Sequence, residues 1–360
     1  MRKRHFLFAS ALALLCSSGA LHAQDFKLTS SGYFKNQGVD VMAFDDIYPE
    51  GHQGGVCIIM NGHRVATNGD IRLEATPGQW QPVPKQLDRK LSDNSITATL
   101  CYPDSSRHLT GFNPMIYPDL HLIYTVQVES KGKHIEVTVD LDRPIPQEFI
   151  GKVGFNLEFF PGSLFGKPWI MDGQSGIFPQ QPNSPLMTTQ PNYLHTGNYH
   201  DGKQSLADMD KLIGKGYSPI VADDIISEPY AKGRKFTSRP DDPYNKVTIE
   251  SLSGDLQLFD GRMNHNNGWF VLRSNIKPGV TKGVVKWIIT PNVVADWMYQ
   301  PVIQTSQIGY HPAQDKEAVI EMDIRDNRKE TAQIIRIDAD GEKVVKNVTP
   351  ANWGKFLRYN

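Results

Sequence analysis

The sequence is poor in several features that mark common protein classes, and each shortage narrows what the chain can do. Its 360 residues contain only 3 cysteines, and Cys57 and Cys101 have neither a Cys-x-x-Cys partner nor a flanking histidine, so zinc is not indicated. The 38 Lys and Arg are balanced by 39 Asp and Glu, which leaves no basic footprint for nucleic acid or anionic lipid. Beyond the first 23 residues no apolar run is long enough to cross a bilayer. We therefore expect no nucleic-acid partner, no membrane span, no metal and no cofactor.

Recognisable catalytic signatures are also missing. The sequence holds no His-Glu-x-x-His, Walker loop or Gly-x-Ser-x-Gly motif. Its acid pairs, Asp223-Asp224 and Asp241-Asp242, consist of adjacent residues, which point to opposite faces of a strand and cannot bracket one bond. We interpret both pairs as solvated loop charges and predict no catalytic residue in this chain.

The N-terminus has the order of a signal peptide. Basic residues at positions 2–4 precede an apolar run over 6–15, and small residues lead to Leu21-His22-Ala23. This pattern predicts a signal peptide over 1–23, cleavage after Ala23, and a secreted or periplasmic protein. Cys16 follows Leu15, where a lipid-attachment site requires a small residue, so we favour plain secretion over a lipoprotein. In an oxidising compartment Cys57 and Cys101 could form a disulfide worth on the order of 3–4 kcal/mol, or could remain as thiols in separate strands.

Alternating apolar and polar residues predict strands through most of the chain. Residues 122–129 and 135–141 alternate on either side of a Gly-bearing turn, which is a hairpin signal. Further strands are predicted over residues 55–60, 71–76, 95–102, 152–160, 246–252, 256–259, 268–274 and 282–290. Only residues 204–214 indicate a helix, and weakly. The fold class predicted for 24–300 is an all-β sandwich that could reach the size of a supersandwich.

Two aromatic segments are candidates for sugar binding. Aromatic faces can stack on pyranose rings, and neighbouring polar groups can bind the hydroxyls. Residues 161–199 form a long segment without clear period, in which Trp169 lies close to Asp172 and Gln174. A polar turn brings His265 close to Trp269. The alternative for each tryptophan is a core position, because large aromatics are highly buried on average. For Trp269, which begins an apolar strand, we favour the core; for Trp169 both interpretations stay open. Trp287, set among Val284, Val285, Ile288 and Ile289, is predicted to lie in the core.

A boundary near Gln300-Pro301 separates a second strand-rich segment. Alternation over 317–324 predicts one strand, and two more flank Asp338-Ala339-Asp340-Gly341. Asp-Gly between apolar runs is a strong hairpin signal, so we interpret this acidic tetrapeptide as a turn. It lacks the further ligands of a calcium loop.

The opening of this segment carries a motif that resembles a known family. Val302-Ile303-Gln304-Thr305-Ser306-Gln307-Ile308-Gly309-Tyr310-His311-Pro312 is similar to the first strand of the N-terminal immunoglobulin-like domain of glycoside hydrolase family 9 cellulases. Gln307, Ile308, Gly309, Tyr310 and Pro312 match, and the strand order that follows also fits. Residues 155–162 and 169–179 look like the additional N-terminal β domain of some secreted members from Bacteroides-type bacteria.

The resemblance implies an immunoglobulin-like domain that begins at 301 and is partial at 360, because such a sandwich needs about seven strands and 100 residues. We expect the chain to be a fragment. Family members resemble inverting glycosidases, whose paired carboxylates lie about 6.5–9.5 Å apart. Their base belongs to an Asp-Ala-Gly-Asp motif in a helical barrel, and this sequence has no such motif.

The leading hypothesis is an N-terminal accessory part of a secreted hydrolase acting on β-glucan-type polysaccharide, whose partners are the glycan and the missing catalytic barrel. The first alternative is a self-contained, non-catalytic carbohydrate-binding or surface glycan-scaffold protein. A third is a lyase or epimerase on a mutarotase-like sandwich, which would need a histidine and a carboxylate in one cleft.

Overall fold

The computed structural model describes residues 25–45, 54–74, 76–77, 83–102, 104, 120–182, 186–187, 226–263, 268–328, 331–356 and 359–360. The predicted signal peptide, the predicted helix over 204–214, His265 and Asp223-Asp224 lie outside these residues. No helix in the described part of the chain has the length and apolar character needed to span a membrane.

The described residues are almost entirely β, as predicted. Three short 3-10 turns occur at Gln147–Phe149, Pro161–Ser163 and Gly261–Met263. The strands, in chain order, are β1 (Lys27–Leu28), β2 (Phe34–Asn36), β3 (Val39–Ala43), β4 (Val56–Met60), β5 (His63–Leu73), β6 (Lys85–Leu91), β7 (Ser95–Tyr102), β8 (Leu122–Lys131), β9 (His134–Leu141), β10 (Val153–Phe159), β11 (Pro168–Met171), β12 (Gln174–Ile177), β13 (Leu186–Met187), β14 (Ile226–Ser227), β15 (Ala231–Gly233), β16 (Lys235–Ser238), β17 (Val247–Ser251), β18 (Leu256–Asp260), β19 (Phe270–Asn275), β20 (Val285–Pro291), β21 (Val302–Gln304), β22 (Val319–Glu321), β23 (Ala332–Asp338) and β24 (Gly341–Val348).

Eighteen of these strands form two antiparallel nine-stranded sheets. The first sheet has the order β1-β2-β3-β4-β5-β10-β19-β18-β15, and the second has the order β12-β11-β16-β17-β20-β9-β8-β7-β6. Strands β1–β5 form a meander in the first sheet, and β6–β9 form a meander in the second. The later strands of the sandwich alternate between the two sheets along the chain. The predicted hairpin is present as β8 and β9, with Lys131 opposite His134 and Gly132 at a positive φ of 71°.

The two sheets pack face to face over one continuous hydrophobic core. Trp287 of the second sheet is 1% exposed and meets Phe155 of the first edge to face, with ring centroids 5.0 Å apart. Its indole Nε1 donates a hydrogen bond of 3.1 Å to Ser274 Oγ. Phe159 and Phe236 make a second aromatic contact between the sheets at 5.8 Å. The sandwich and the core position of Trp287 are thus confirmed.

Strand β5 differs from its predicted extent for a local reason. The sequence indicates a strand over 71–76, whereas β5 begins at His63. Asn68 has a positive φ of 55°, and the register with β10 slips between Glu158 and Asn156. Asn68-Gly69 therefore forms a β-bulge inside a long strand rather than a turn between two elements.

The outer strands of both sheets are short or charged. In the first sheet the edges are β1, with two residues, and β15, with three. In the second they are β12, with four residues, and β6, which carries Lys85, Asp88, Arg89 and Lys90. Short and charged edges limit pairing with other chains.

Candidate functional site

The middle strands of the first sheet carry ionisable side chains where a sandwich usually has apolar or exposed residues. All seven residues of β10 are buried, as are the last nine of β5. Both faces of these strands are therefore covered, and their polar side chains are desolvated. We call these residues the arginine–carboxylate cluster: Asp70, Arg72, Glu74, Asn156, Glu158 and Arg273.

Arg273 is the centre of this cluster. It pairs with Asn156 across β19 and β10, on the face opposite to Phe155 and Ser274. Its Nη1 lies 3.1 Å from Asn156 Oδ1 and 3.5 Å from Glu74 Oε1, and its Nη2 donates to the Glu74 carbonyl at 2.8 Å. Gly154 makes room for it, since a Cβ at that position would lie 2.7 Å from the guanidinium carbon.

Two carboxyl groups, Asp70 in β5 and Glu74 directly after it, have raised pKa values. Burial raises the pKa of Glu74 to about 7, although Arg273 opposes the shift. Burial likewise raises the pKa of Asp70 to about 6, against the nearby charge of Arg72 and a 2.8 Å hydrogen bond that Tyr124 donates from the second sheet. Asp70 Oδ2 has no hydrogen-bond partner among the described residues and lies 3.8 Å from Arg72 Nη1.

Glu158, the remaining carboxylate of the cluster, lies beside the bulge. Asn68 Nδ2 donates to Glu158 Oε2 at 2.5 Å. Buried carboxyls with pKa values near neutrality are typical of functional sites, but ion pairs that hold a structure together shift them too. Here the hydrogen bonds join β5, β10 and β19 to one another, so the arrangement itself supports a structural role.

We expect the folded protein to be less stable at pH 8 than at pH 5. The pKa values of Asp70 and Glu74 are raised above the ordinary values of 3.8 and 4.5, so the folded state binds extra protons until the pH passes about 6 and 7. Their contribution to the free energy of unfolding is fully present below pH 4 and is lost as the pH rises. Between pH 5 and 8 we expect each group to lose on the order of 1–3 kcal/mol. Urea unfolding at both pH values measures this difference.

Asp70→Asn and Glu74→Gln are the matched variants for that measurement. In each variant the free energy of unfolding should change less between pH 5 and pH 8, by the contribution of the carboxyl group that was replaced. This holds even if the substitution also changes stability at a single pH. A dependence that is unchanged in both variants would contradict the assignment.

The first predicted sugar-binding group has structural contacts of its own. Trp169 is 7% exposed and belongs to the core, with its ring packed over Gly176. Asp172, at the turn between β11 and β12, accepts hydrogen bonds from the backbone N–H groups of Arg234 and Lys235. Gln174 Nε2 donates to the Lys232 carbonyl at 3.0 Å. Sugar binding by these residues stays a prediction, and Trp169 offers little ring surface for it.

In the second predicted sugar-binding group, His265 and Trp269, the structure describes Trp269. Trp269 is half-buried, and its ring meets half-buried Phe160 edge to face, with centroids 4.4 Å apart. Nearby, the Arg262 guanidinium lies 5.0 Å from the ring centre of exposed Phe165. Sequence reasoning missed Phe160, Phe165 and Arg262; the signal for Phe160 was the aromatic pair at the end of a predicted strand.

No disulfide joins Cys57 and Cys101. Cys57 is on β4 in the first sheet, where its Sγ lies 3.1 Å from Thr67 Oγ1. Cys101 is on β7 in the second sheet and is half-buried. Of the two predicted possibilities, the structure has thiols in separate strands. Cys101 alternates with buried Leu100 and Tyr102, so its side chain faces away from the core and from the first sheet.

The family-like motif forms a closed turn after β21. Gly309 has a positive φ of 78°, and its N–H donates to the Ser306 carbonyl at 3.2 Å. The Tyr310 hydroxyl accepts from Ser306 N–H and donates to the carbonyl of Glu317, shortly before β22. The matching glycine and tyrosine therefore bring β21 and β22 together as an antiparallel pair.

The segment after this motif is a hairpin with little cover. Strands β23 and β24 pair around Ala339-Asp340, which confirms the predicted turn. Ile337 is 75% exposed and Trp353 88%, and Ile308 in the motif is 99% exposed. We call residues 302–360 the tail. A two-stranded sheet alone is marginally stable in water, so these apolar faces need a cover.

A compact joint connects the tail to the first sheet. The rings of Trp297 and Tyr299 meet edge to face at 4.3 Å and lie over Gly38 and Gly62, at two turns of the sandwich. In the tail, Asp323 accepts from Tyr299 N–H at 3.0 Å, and Arg325 donates to the Trp297 carbonyl. Burial raises the pKa of Asp323, but hydrogen bonds from Arg325 and Tyr299 together with the charge of Arg325 outweigh it and hold the pKa at about 2, so Asp323 stays ionised at neutral pH.

Comparison with known proteins gives a limited result. No protein-family model matches the chain, and no curated protein matches it. Among solved structures, the chain is similar to a galactose mutarotase-like protein from Lactobacillus casei, with 12% identity and a TM-score of 0.31, over 72% of this chain and 98% of that one. A similarity of this size says nothing about the activity of this chain.

Proposed function

We propose that this chain is the exported, non-catalytic accessory region of a glycoside hydrolase that acts on β-glucan-type polysaccharide. In this proposal the sandwich is a rigid platform, and the tail is the first part of an immunoglobulin-like domain that packs against a separate catalytic barrel. The observation that carries it is the tail. Its family-like motif closes β21 onto β22, and its apolar side chains are left exposed.

The exposed faces of the tail fit the remaining strands of such a domain. An immunoglobulin-like sandwich needs about seven strands in two sheets that share one core. The tail supplies four strands in two separate pairs, with exposed apolar side chains on β21, β23 and β24. The joint at Trp297 and Asp323 would hold this domain at a fixed place on the platform.

The chemistry of the sandwich agrees with a division of labour. Its buried carboxylates Glu74 and Asp260 bind Arg273 and Arg262, respectively, and Glu158 accepts from Asn68. Carboxylates used in this way hold strands and loops. An inverting glycosidase instead needs an acid and a base that both face a substrate and a water.

A hydrolysis assay with the purified chain tests the proposal. On soluble β-glucan we expect no release of reducing ends above a blank without protein. Robust release that is abolished by Glu158→Gln or Glu74→Gln, with the fold intact by circular dichroism, would overturn the division of labour.

The second candidate function is a self-contained sugar-binding or scaffold protein. The half-exposed pair of Trp269 and Phe160 favours it, because an aromatic ring at the end of a sheet can stack on a pyranose. Measurable affinity for a β-glucan oligosaccharide that is lost in Trp269→Ala would support this role over the accessory one.

A further inference from the structure

A groove of about 400 Å³, which none of the predicted sites includes, lies on the second sheet and extends to Asn36 of β2 in the first sheet. Three lysines and four neutral polar residues contribute to its lining: Lys133, Lys235, Lys246, Asn36, Thr248, Thr290 and Asn292. We call it the lysine groove. It lies across β16, β17 and β20, with Lys133 contributed by the turn between β8 and β9.

The strand register explains why these side chains converge. Thr248 on β17 is directly opposite Thr290 on β20 and Thr237 on β16. Residues two apart on a strand share a face, so Lys246 stands beside Thr248, and Asn292 beside Thr290. Val247, Ile249 and Ile289, which alternate with them, are buried in the core. The groove is therefore a fixed row of polar groups on a rigid sheet.

The positive charge of the groove is only partly compensated, since Asp25 lies against the turn that carries Lys133, where a Cβ on Gly132 would be 3.4 Å from Asp25 Oδ1. Lys235 has an exposed ion pair with Glu250, at 3.7 Å. No carboxylate in the described part of the chain lies within ion-pair distance of Lys133 or Lys246. Because the chain as a whole has a formal charge of only −1, three ammonium groups around one groove are a local excess. Such an excess attracts an anion, while the hydroxyls and the Asn292 amide can bind neutral polar groups beside it.

We propose that the lysine groove binds an acidic saccharide, through contacts of Lys133 and Lys246 with its carboxylate or sulfate and of Thr248, Thr290 and Asn292 with its hydroxyls. This proposal rests on the proposed function in one respect: the anion is taken to be part of a glycan because the chain is proposed to act on carbohydrate. It adds a sugar contact on the second sheet that would hold the proposed hydrolase on acidic glycan.

Isothermal titration of the full chain with polygalacturonate tests the groove. We expect binding at low salt that weakens as salt screens the charges. Lys133→Ala and Lys246→Ala should each weaken it about threefold and the double variant about tenfold, as for exposed charge pairs. Lys282→Ala and Lys343→Ala remove exposed lysines elsewhere, and they should change the affinity less than about twofold.

Three outcomes would overturn the proposal. These are no binding at low salt, equal losses in the control variants, and displacement of polygalacturonate by inorganic phosphate at equal charge concentration, which would show an anion site without saccharide recognition. The hydrolysis assay on neutral β-glucan is run alongside as a separate measurement. If the chain neither hydrolyses β-glucan nor binds polygalacturonate, the groove proposal fails while the accessory function stands.

Discussion

Replacing Arg273 by methionine should lower the free energy of unfolding by about 3–5 kcal/mol, the usual effect of removing one partner of a buried ion pair. Methionine keeps most of the side-chain volume, so the loss measures charge and hydrogen bonds rather than a cavity. Arg273 and Glu74 have side chains only 1% exposed, and the guanidinium also binds Asn156 and the Glu74 carbonyl. Urea unfolding followed by tryptophan fluorescence at pH 7.5 measures the change.

The same buried pair supplies the controls. Glu74→Gln in the Arg273→Met background should recover part of the loss, because the carboxylate left without its cation is then neutral; the four proteins form a double-mutant cycle. Lys282→Met removes an exposed ion pair with Asp140 and should change stability by about 0.5 kcal/mol or less. A loss below about 1 kcal/mol in Arg273→Met would mean that the cluster is solvated.

Replacing Trp287 by alanine should lower the free energy of unfolding by about 3–5 kcal/mol, because a large cavity opens between the sheets. The indole is 1% exposed, meets Phe155 edge to face, and donates to Ser274 Oγ. The alanine variant loses the buried area, the aromatic contact and the hydrogen bond together. Thermal and urea unfolding of the full chain measure the result.

Ile177→Ala is the matched control for this core position. Ile177 is an apolar residue of the same sandwich, on edge strand β12, but it is 65% exposed. Its truncation should change stability by about 0.5 kcal/mol or less. If the two variants were equally stable, Trp287 would not be at the centre of the core.

Local patterns were enough to predict the sandwich and several of its elements. Strict alternation over 122–141 predicted β8 and β9, because one face of that hairpin is buried and the other meets solvent. The apolar neighbours of Trp287 predicted its core position, and Asp-Gly predicted the turn between β23 and β24. In each case the deciding interactions lie within a few residues of one another.

The candidate site depends on contacts that no local pattern reveals. Glu74 and Arg273 are 199 positions apart, and only the order β5-β10-β19 brings them together. Strand β10 and the last four residues of β5 also alternate apolar and polar residues, which suggests a solvent face, although both faces of these strands are buried. The β11–β12 hairpin was missed within residues 161–199 although Asp172-Gly173, both at positive φ, carry the same Asp-Gly turn signal. Its strands have only four residues each and no clear alternation, so they did not stand out from the surrounding segment.

The short and charged outer strands of the sandwich determine where two molecules would first join by their backbones. Intermolecular strand addition needs a long row of open N–H and C=O groups, and β1, β15 and β12 present two to four residues each. Strands β23 and β24 present seven and eight, flanked by exposed isoleucine and valine. Fibrillar association in concentrated solution would therefore begin at this hairpin. A neighbouring domain that covers the hairpin would also prevent this association.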